Sequence, residues 1–201
     1  MNHKRIILIF IGIIFVIFGL LAYFNAFYYE NHYLIFWFCY LALLVIGIGL
    51  IFSEPRLILS QLYIVFIPDI IWGIDFISYL INGKSLMGIV DYFFLEGPIP
   101  LKIVTMQHLL VIPVCLVALV YIRDIKNKFP ILLISLLELS LFYYLAITFT
   151  PEIYNINCVY KPCGNLQISG YYPIIWFAGV FLMISLSYFL VNRFLRDKTD
   201  K

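Results

Sequence analysis

Four ionisable side chains stand inside otherwise apolar runs of this 201-residue chain: Asp69, Asp75, His108 and Glu138. An aspartate at the centre of a membrane-crossing helix costs about 2.5–3.5 kcal/mol on insertion scales. Such groups therefore face a bundle interior, pair with one another and mark functional sites. An imidazole can give or take a proton near neutral pH, which makes His108 a candidate general acid or base. A neighbouring carboxylate would orient the ring, the role expected of Asp75. Asn155 and Asn157, in an N-x-N of a polar segment, are candidate amide donors to a developing oxyanion. Trp72, Tyr92, Asp69 and Glu138 join the two asparagines as candidate binding residues.

The elements that must position these groups are apolar runs near the roughly 20 residues that span hydrocarbon. Six can be read, at 6–24, 33–52, 57–81, 103–122, 131–149 and 172–192. The expected fold is all-α, a single-domain integral membrane bundle of six transmembrane helices. Helix rise is about 1.5 Å per residue, so depth is counted from the end of each run. Asp75 and His108 come out level, roughly 8–9 Å below one boundary. Asp69 and Glu138 come out level near the midplane. The expected pairs are thus Asp75 with His108 and Asp69 with Glu138. Asp69 and Asp75 themselves point about 120° apart on a straight helix, so they should address different neighbours.

Composition excludes most alternatives. The chain is 64% hydrophobic and 12% charged, whereas soluble domains are about half apolar and about a quarter charged. The net charge of +2 and the absence of a basic-aromatic surface pattern speak against a nucleic-acid partner. No dinucleotide, phosphate-loop or zinc-protease motif occurs, and no cofactor is expected. Ten of the thirteen Lys and Arg fall on the side of the bundle that holds both termini; Lys84, Lys102 and Lys161 fall on the other. By the positive-inside rule this places both termini in the cytoplasm of a multi-pass protein of the cell membrane. The basic leader and first apolar run read as an uncleaved helix rather than a signal peptide, because the run exceeds a typical h-region. Cys158 and Cys163 share an outer loop and are a disulfide candidate. A zinc site with His108 lacks a fourth ligand, so no metal is expected.

The residues W-x-x-D at Trp72 and Asp75, then Gly83, Asp91-Tyr92, His108 with Pro113, and N-x-N at Asn155 and Asn157 resemble an uncharacterised family of small prokaryotic polytopic membrane proteins. The resemblance covers about 67–160. Gln107 stands where that pattern has an aromatic residue, and Cys158 where it has tryptophan. It implies a shared scaffold and a shared outer site, not a reaction. A fainter similarity is to the androgen-induced type of intramembrane hydrolase, which uses a threonine nucleophile and a histidine within spans. Thr105 and Thr148 lie in no closely matching motif, and those roles are not carried over.

The expected function is that of a small membrane enzyme or ligand-binding protein, with an outward-facing site for a lipid or apolar small molecule. A proton-coupled carrier or channel component is the second class. A structural or assembly subunit of a membrane complex is the third. No oligomeric state follows from the sequence, and the bilayer is the one certain partner of this composition. Reporter fusions test the orientation. Fusions after Lys201 and within 123–128 are expected to read as cytoplasmic, and fusions at Gly88 and Gly164 as exterior. An exterior signal at the C-terminus would overturn the six-span reading.

Overall fold

The computed structural model describes residues 3–122, 125–168 and 170–199, without the side chains of 197–199. Arg123, Lys201 and the side chain of Lys198, which contribute to the charge asymmetry, lie outside what it describes. Among the described residues the chain is all-helical, with no strand. This follows from the sequence: a long apolar run shielded from water must satisfy its own backbone groups, and a helix does so within one segment.

The chain runs through α1 (His3–Tyr28), a 3-10 turn (His32–Phe36), α2 (Phe38–Phe52) and α3 (Pro55–Asn82). After α4 (Asp91–Phe94) come α5 (Ile99–Thr105) and α6 (Gln107–Tyr121), which follow one another across a break at Met106. Then α7 (Phe129–Phe149), two 3-10 turns (Glu152–Tyr154 and Ile156–Cys158) and α8 (Tyr172–Thr199) complete it. Local chemistry sets several boundaries. Glu54 caps α3 by accepting from the Arg56 N–H, with Pro55 as first helical residue, where its missing N–H does no harm. Gly83 ends α3 in the left-handed conformation, φ +67°.

Five helical segments are long and apolar enough to cross a membrane: α1, α3, the α5–α6 stretch Ile99–Tyr121, α7 and α8. Their outward faces carry large exposed apolar side chains such as Phe10, Ile81, Leu137 and Leu182. These are the features of a multi-pass membrane protein. The expected second span is shorter than its apolar run. Residues 33–52 divide at Trp37 into the 3-10 turn and the 15-residue α2, about 22 Å long against a hydrocarbon core of about 30 Å. The cause is tertiary: the Asn157 amide donates to the Phe36 carbonyl at 2.7 Å and its oxygen accepts from the Phe38 N–H at 3.0 Å. An amide from a distant loop thus fixes where α2 begins.

α3 is the axis of the bundle and packs against α2, α6, α7 and α8. From Ile58 to Val65 every residue of α3 is buried. Against α2, α1 packs through glycines. A Cβ on Gly12 would stand 2.7 Å from the Gly47 carbonyl oxygen, and one on Gly47 would stand 2.8 Å from the Gly12 oxygen. Close backbone approach at small residues is how apolar helices gain contact where lipid competes equally for side chains.

Three connections meet at one end of the bundle, here the loop end: 29–37, 83–98 and 150–171. Asn157 joins the first to the third. The Asn165 N–H joins the third to the second by donating to the Met87 carbonyl at 2.7 Å. Gly164 lies at this seam with φ +89°, where a Cβ would fall 2.2 Å from the Met87 oxygen. Gly47→Ala is expected to lower stability by about 1–3 kcal/mol through overpacking. Gly179→Ala meets no neighbour within 4 Å and should be neutral or stabilising. Thermal unfolding in detergent reads the opposite signs.

Candidate functional site

Asp75 is fully buried, but its partner is not His108. Its Oδ1 accepts the Met87 N–H at 2.6 Å, and its Oδ2 accepts those of Ile89 and Val90 at 2.8 and 3.1 Å. The expected Asp75–His108 pair is therefore corrected. Residues 83–98 fold back over the end of α3, and the carboxylate answers backbone donors that the irregular segment would otherwise bury unpaired. Asp75 anchors a loop and does not orient an imidazole.

His108 instead lies beside Asp69, Nε2 to Oδ1 4.0 Å. The helical stretch leading to it begins at Ile99, earlier than the apolar run suggests, and breaks at Met106, so that His108 stands in the first turn of α6. The two aspartates of α3 do address different neighbours. His108 Nδ1 is 2.8 Å from the Thr105 carbonyl oxygen. A carbonyl only accepts, so Nδ1 carries the hydrogen and Nε2 is the free position of the neutral ring. The ring stacks on Trp72, centroids 4.9 Å apart and planes at 20°. Trp72 stacks in turn on Phe76 and donates its Nε1 hydrogen to the Tyr92 hydroxyl at 3.1 Å. The Thr105 carbonyl thus holds the His108 tautomer, and the Trp72–Tyr92 bond holds the indole against which the imidazole lies.

Two groups stand near Nε2. The Gln107 amide nitrogen lies 3.2 Å from both ring nitrogens and so is not aimed at Nε2 alone. The Asp69 carboxyl faces Nε2. The 4.0 Å gap is too long for a direct hydrogen bond, and Asp69 Oδ2 is buried with no hydrogen-bond partner. Cys39 of α2 and Cys115 of α6 stand within electrostatic range of Asp69. Among the described residues no cluster of His, Cys, Asp and Glu could hold a metal ion.

The expected Asp69–Glu138 pair is also corrected. Glu138 Oε2 accepts from Gln61 Nε2 at 2.8 Å. Gln61 lies eight residues before Asp69 on α3, roughly 12 Å along the axis. Further polar contacts surround it: Ser135 donates to the Ser60 carbonyl at 2.8 Å, and Tyr63 to Asn192 at 3.0 Å.

Asn155 and Asn157 each spend the amide oxygen and one amide hydrogen on backbone of the loop end. Asn155 Oδ1 accepts the N–H groups of Tyr160 and Lys161, and its amide donates to the Lys161 carbonyl. Asn157 clips α2, as above. Both are left-handed, φ +43° and +52°, a conformation asparagine tolerates. Cys158 and Cys163 are joined in a disulfide that closes this loop. A shallow depression of about 470 Å³ lies at the loop end, with Tyr79, Lys84, Asp91, Phe94 and Asn165 in its wall. It touches neither His108 nor Asp69.

Gln61 and Gln107 were not among the residues the sequence singled out. A neutral amide adds no charge to an apolar run and escapes a search for ionisable groups. Yet two of the three glutamines fall inside apolar runs, where an amide also needs a partner, and that was the available signal.

Compared with models of protein families, with curated proteins and with solved structures, the chain finds no match. The roles above rest on geometry. A double-mutant cycle tests them. Asp75→Asn and His108→Ala are expected to be additive in unfolding free energy within about 0.5 kcal/mol, while Asp69→Asn and His108→Ala couple by about 0.5–3 kcal/mol. Coupling at Asp75 with none at Asp69 would restore the depth-derived pairing.

Proposed function

We propose that this chain is a small membrane enzyme or ligand-binding protein whose His108–Asp69 centre receives an apolar molecule bearing a hydrogen-bond donor, such as a lipid, from the loop end. The observation that carries the reading is the pair of facing acceptors. Neutral His108 presents a lone pair on Nε2, the Asp69 carboxyl stands opposite it, and 4.0 Å separates them. Asp69 Oδ2 has no donor of its own. An amine introduced there would satisfy both, and a hydroxyl, with its single hydrogen, one of them. In the enzyme form, Nε2 takes the proton of that group, Asp69 stabilises the resulting imidazolium, and the Gln107 amide, 3.2 Å from both ring nitrogens, is a neutral donor beside the oxygen left behind.

The proposal includes the topology: six crossings, with the 3-10 turn and α2 together making the second, both termini cytoplasmic and the loop end outside. The carrier reading needs a polar path through the other half of the bundle. The unbroken burial of α3 from Ile58 to Val65 favours a site closed below.

Mass spectrometry of the purified protein for co-purifying lipids and small molecules tests the reading. The wild type is expected to retain an apolar compound that Asp69→Asn and His108→Ala both release while keeping a folded, monodisperse profile. Lipid and metabolite profiling of a deletion strain, complemented with wild type or with Asp69→Asn, separates enzyme from binder: only an enzyme leaves an accumulated precursor. Retention of the same compound by both variants would sink the assignment.

A further inference from the structure

The hydrogen-bond inventory around Gln61 does not close with the hydrogens ordinarily assigned to it. The amide nitrogen donates to Glu138 Oε2 at 2.8 Å and approaches Ser60 Oγ at 3.4 Å, which uses both of its hydrogens. The Ser60 hydroxyl is committed to the Leu57 carbonyl at 3.0 Å. The Ser135 hydroxyl lies 2.8 and 3.1 Å from the Ser60 and Ile131 carbonyls. Two buried acceptors then remain without a donor, Gln61 Oε1 and Glu138 Oε1, and they belong to the two partners of one hydrogen bond. Gln61 itself is 3% exposed. A buried amide oxygen without a donor is rare in native proteins.

One hydrogen on Glu138 resolves both vacancies. We infer that Glu138 and Gln61 form a proton-binding site in which Glu138 Oε1 carries a hydrogen and donates it to Gln61 Oε1, while Gln61 Nε2 donates to Glu138 Oε2. The acid and the amide then pair through two parallel hydrogen bonds. Proton uptake is a simple exchange with water: the carboxylate gains a proton and nothing is oxidised or reduced.

The surroundings suit the neutral acid. Gln61 on α3 is the hydrogen-bonding group against Glu138, and Tyr23 on α1 is the titratable group within electrostatic reach. Among the described residues no Lys, Arg or His lies within 4.0 Å of its carboxyl. On α7 the neighbours Leu137 and Leu141 are exposed on the apolar outer face. A bare carboxylate at this seam would lack both water and a counter-ion. The inference is independent of the His108–Asp69 reading, because the two centres share no hydrogen bond and sit about two helical turns apart on α3.

The test uses the full chain in lipid nanodiscs. Dicyclohexylcarbodiimide, which is apolar and reacts with protonated carboxyls, is expected to form an adduct on the peptide containing Glu138. A membrane-impermeant, water-soluble carbodiimide should leave that peptide unmodified. Infrared difference spectra should show a protonated-carboxyl carbonyl band that disappears in Glu138→Gln and persists in Asp69→Asn. Glu138→Gln reproduces the two-bond pairing with an amide and is expected to keep the wild-type unfolding midpoint, whereas Glu138→Leu should lower it. No adduct on Glu138, together with no band assignable to it, would mean an ionised carboxylate with water on the two oxygens, and would overturn the inference. Loss of the band in Asp69→Asn alone would place the protonated acid at the other centre and overturn it equally.

Discussion

An acid or amide in the middle of an apolar helix must find its hydrogen-bond partners inside the protein, because lipid offers none. α3 sets this condition three times, with Gln61, Asp69 and Asp75, and much of the bundle is arranged as the answer. Asp75 is met by a loop, Asp69 faces the imidazole of α6, and Gln61 is met by the acid of α7. The three answers come from three elements, so α3 is held at three levels and in three directions. Apolar packing alone discriminates weakly among positions for a helix in lipid, whereas donors and acceptors of fixed direction discriminate sharply.

The loop end follows the same logic at larger scale. Backbone there is irregular, and each connection borrows donors and acceptors from another. Asp75 collects the N–H groups of 83–98, Met87 accepts from Asn165, and Asn157 spans the break before α2. The Tyr160 hydroxyl lies 2.9–3.2 Å from the carbonyls of Ala146, Ile147 and Thr150, at the end of α7 where helical carbonyls lose their partners. Above His108 this produces an aromatic layer, Trp72, Phe76, Phe93 and Phe94, that forms a cluster separate from the main core. The ring of His108 is thus packed by Trp72, which is itself covered by Phe93 from the segment that Asp75 anchors.

How much of this was legible in the sequence differs by level. The apolar runs and the identity of the buried ionisable residues were readable, because each is a local property. Pairing was not. Counting residues gives depth along a straight helix, but not azimuth, and it depends on where the helix starts. Ile99 rather than Ile103 begins the helix before His108, and Met106 interrupts it. Asp75 could not be recognised as a loop anchor because nothing local to it announces that 83–98 turns back. Asn155 and Asn157 looked like free amides because their partners, Lys161 and Phe36, emerge only on folding. The shortening of the second apolar run has the same origin.

That clip has a bearing on biogenesis. Phe38 and Asn157 are 119 positions apart. A chain delivered to the membrane from its N-terminus exposes the start of α2 long before the residue that terminates it has been synthesised. Until then nothing defines the break at Trp37, and the whole run 33–52 is free to lie in the bilayer as one longer helix. Completion of the 150–171 loop would then shorten a segment already inserted, drawing residues 32–37 out of regular helix at the membrane edge. The final register of the first hairpin would be a late event in assembly, decided from the far end of the chain.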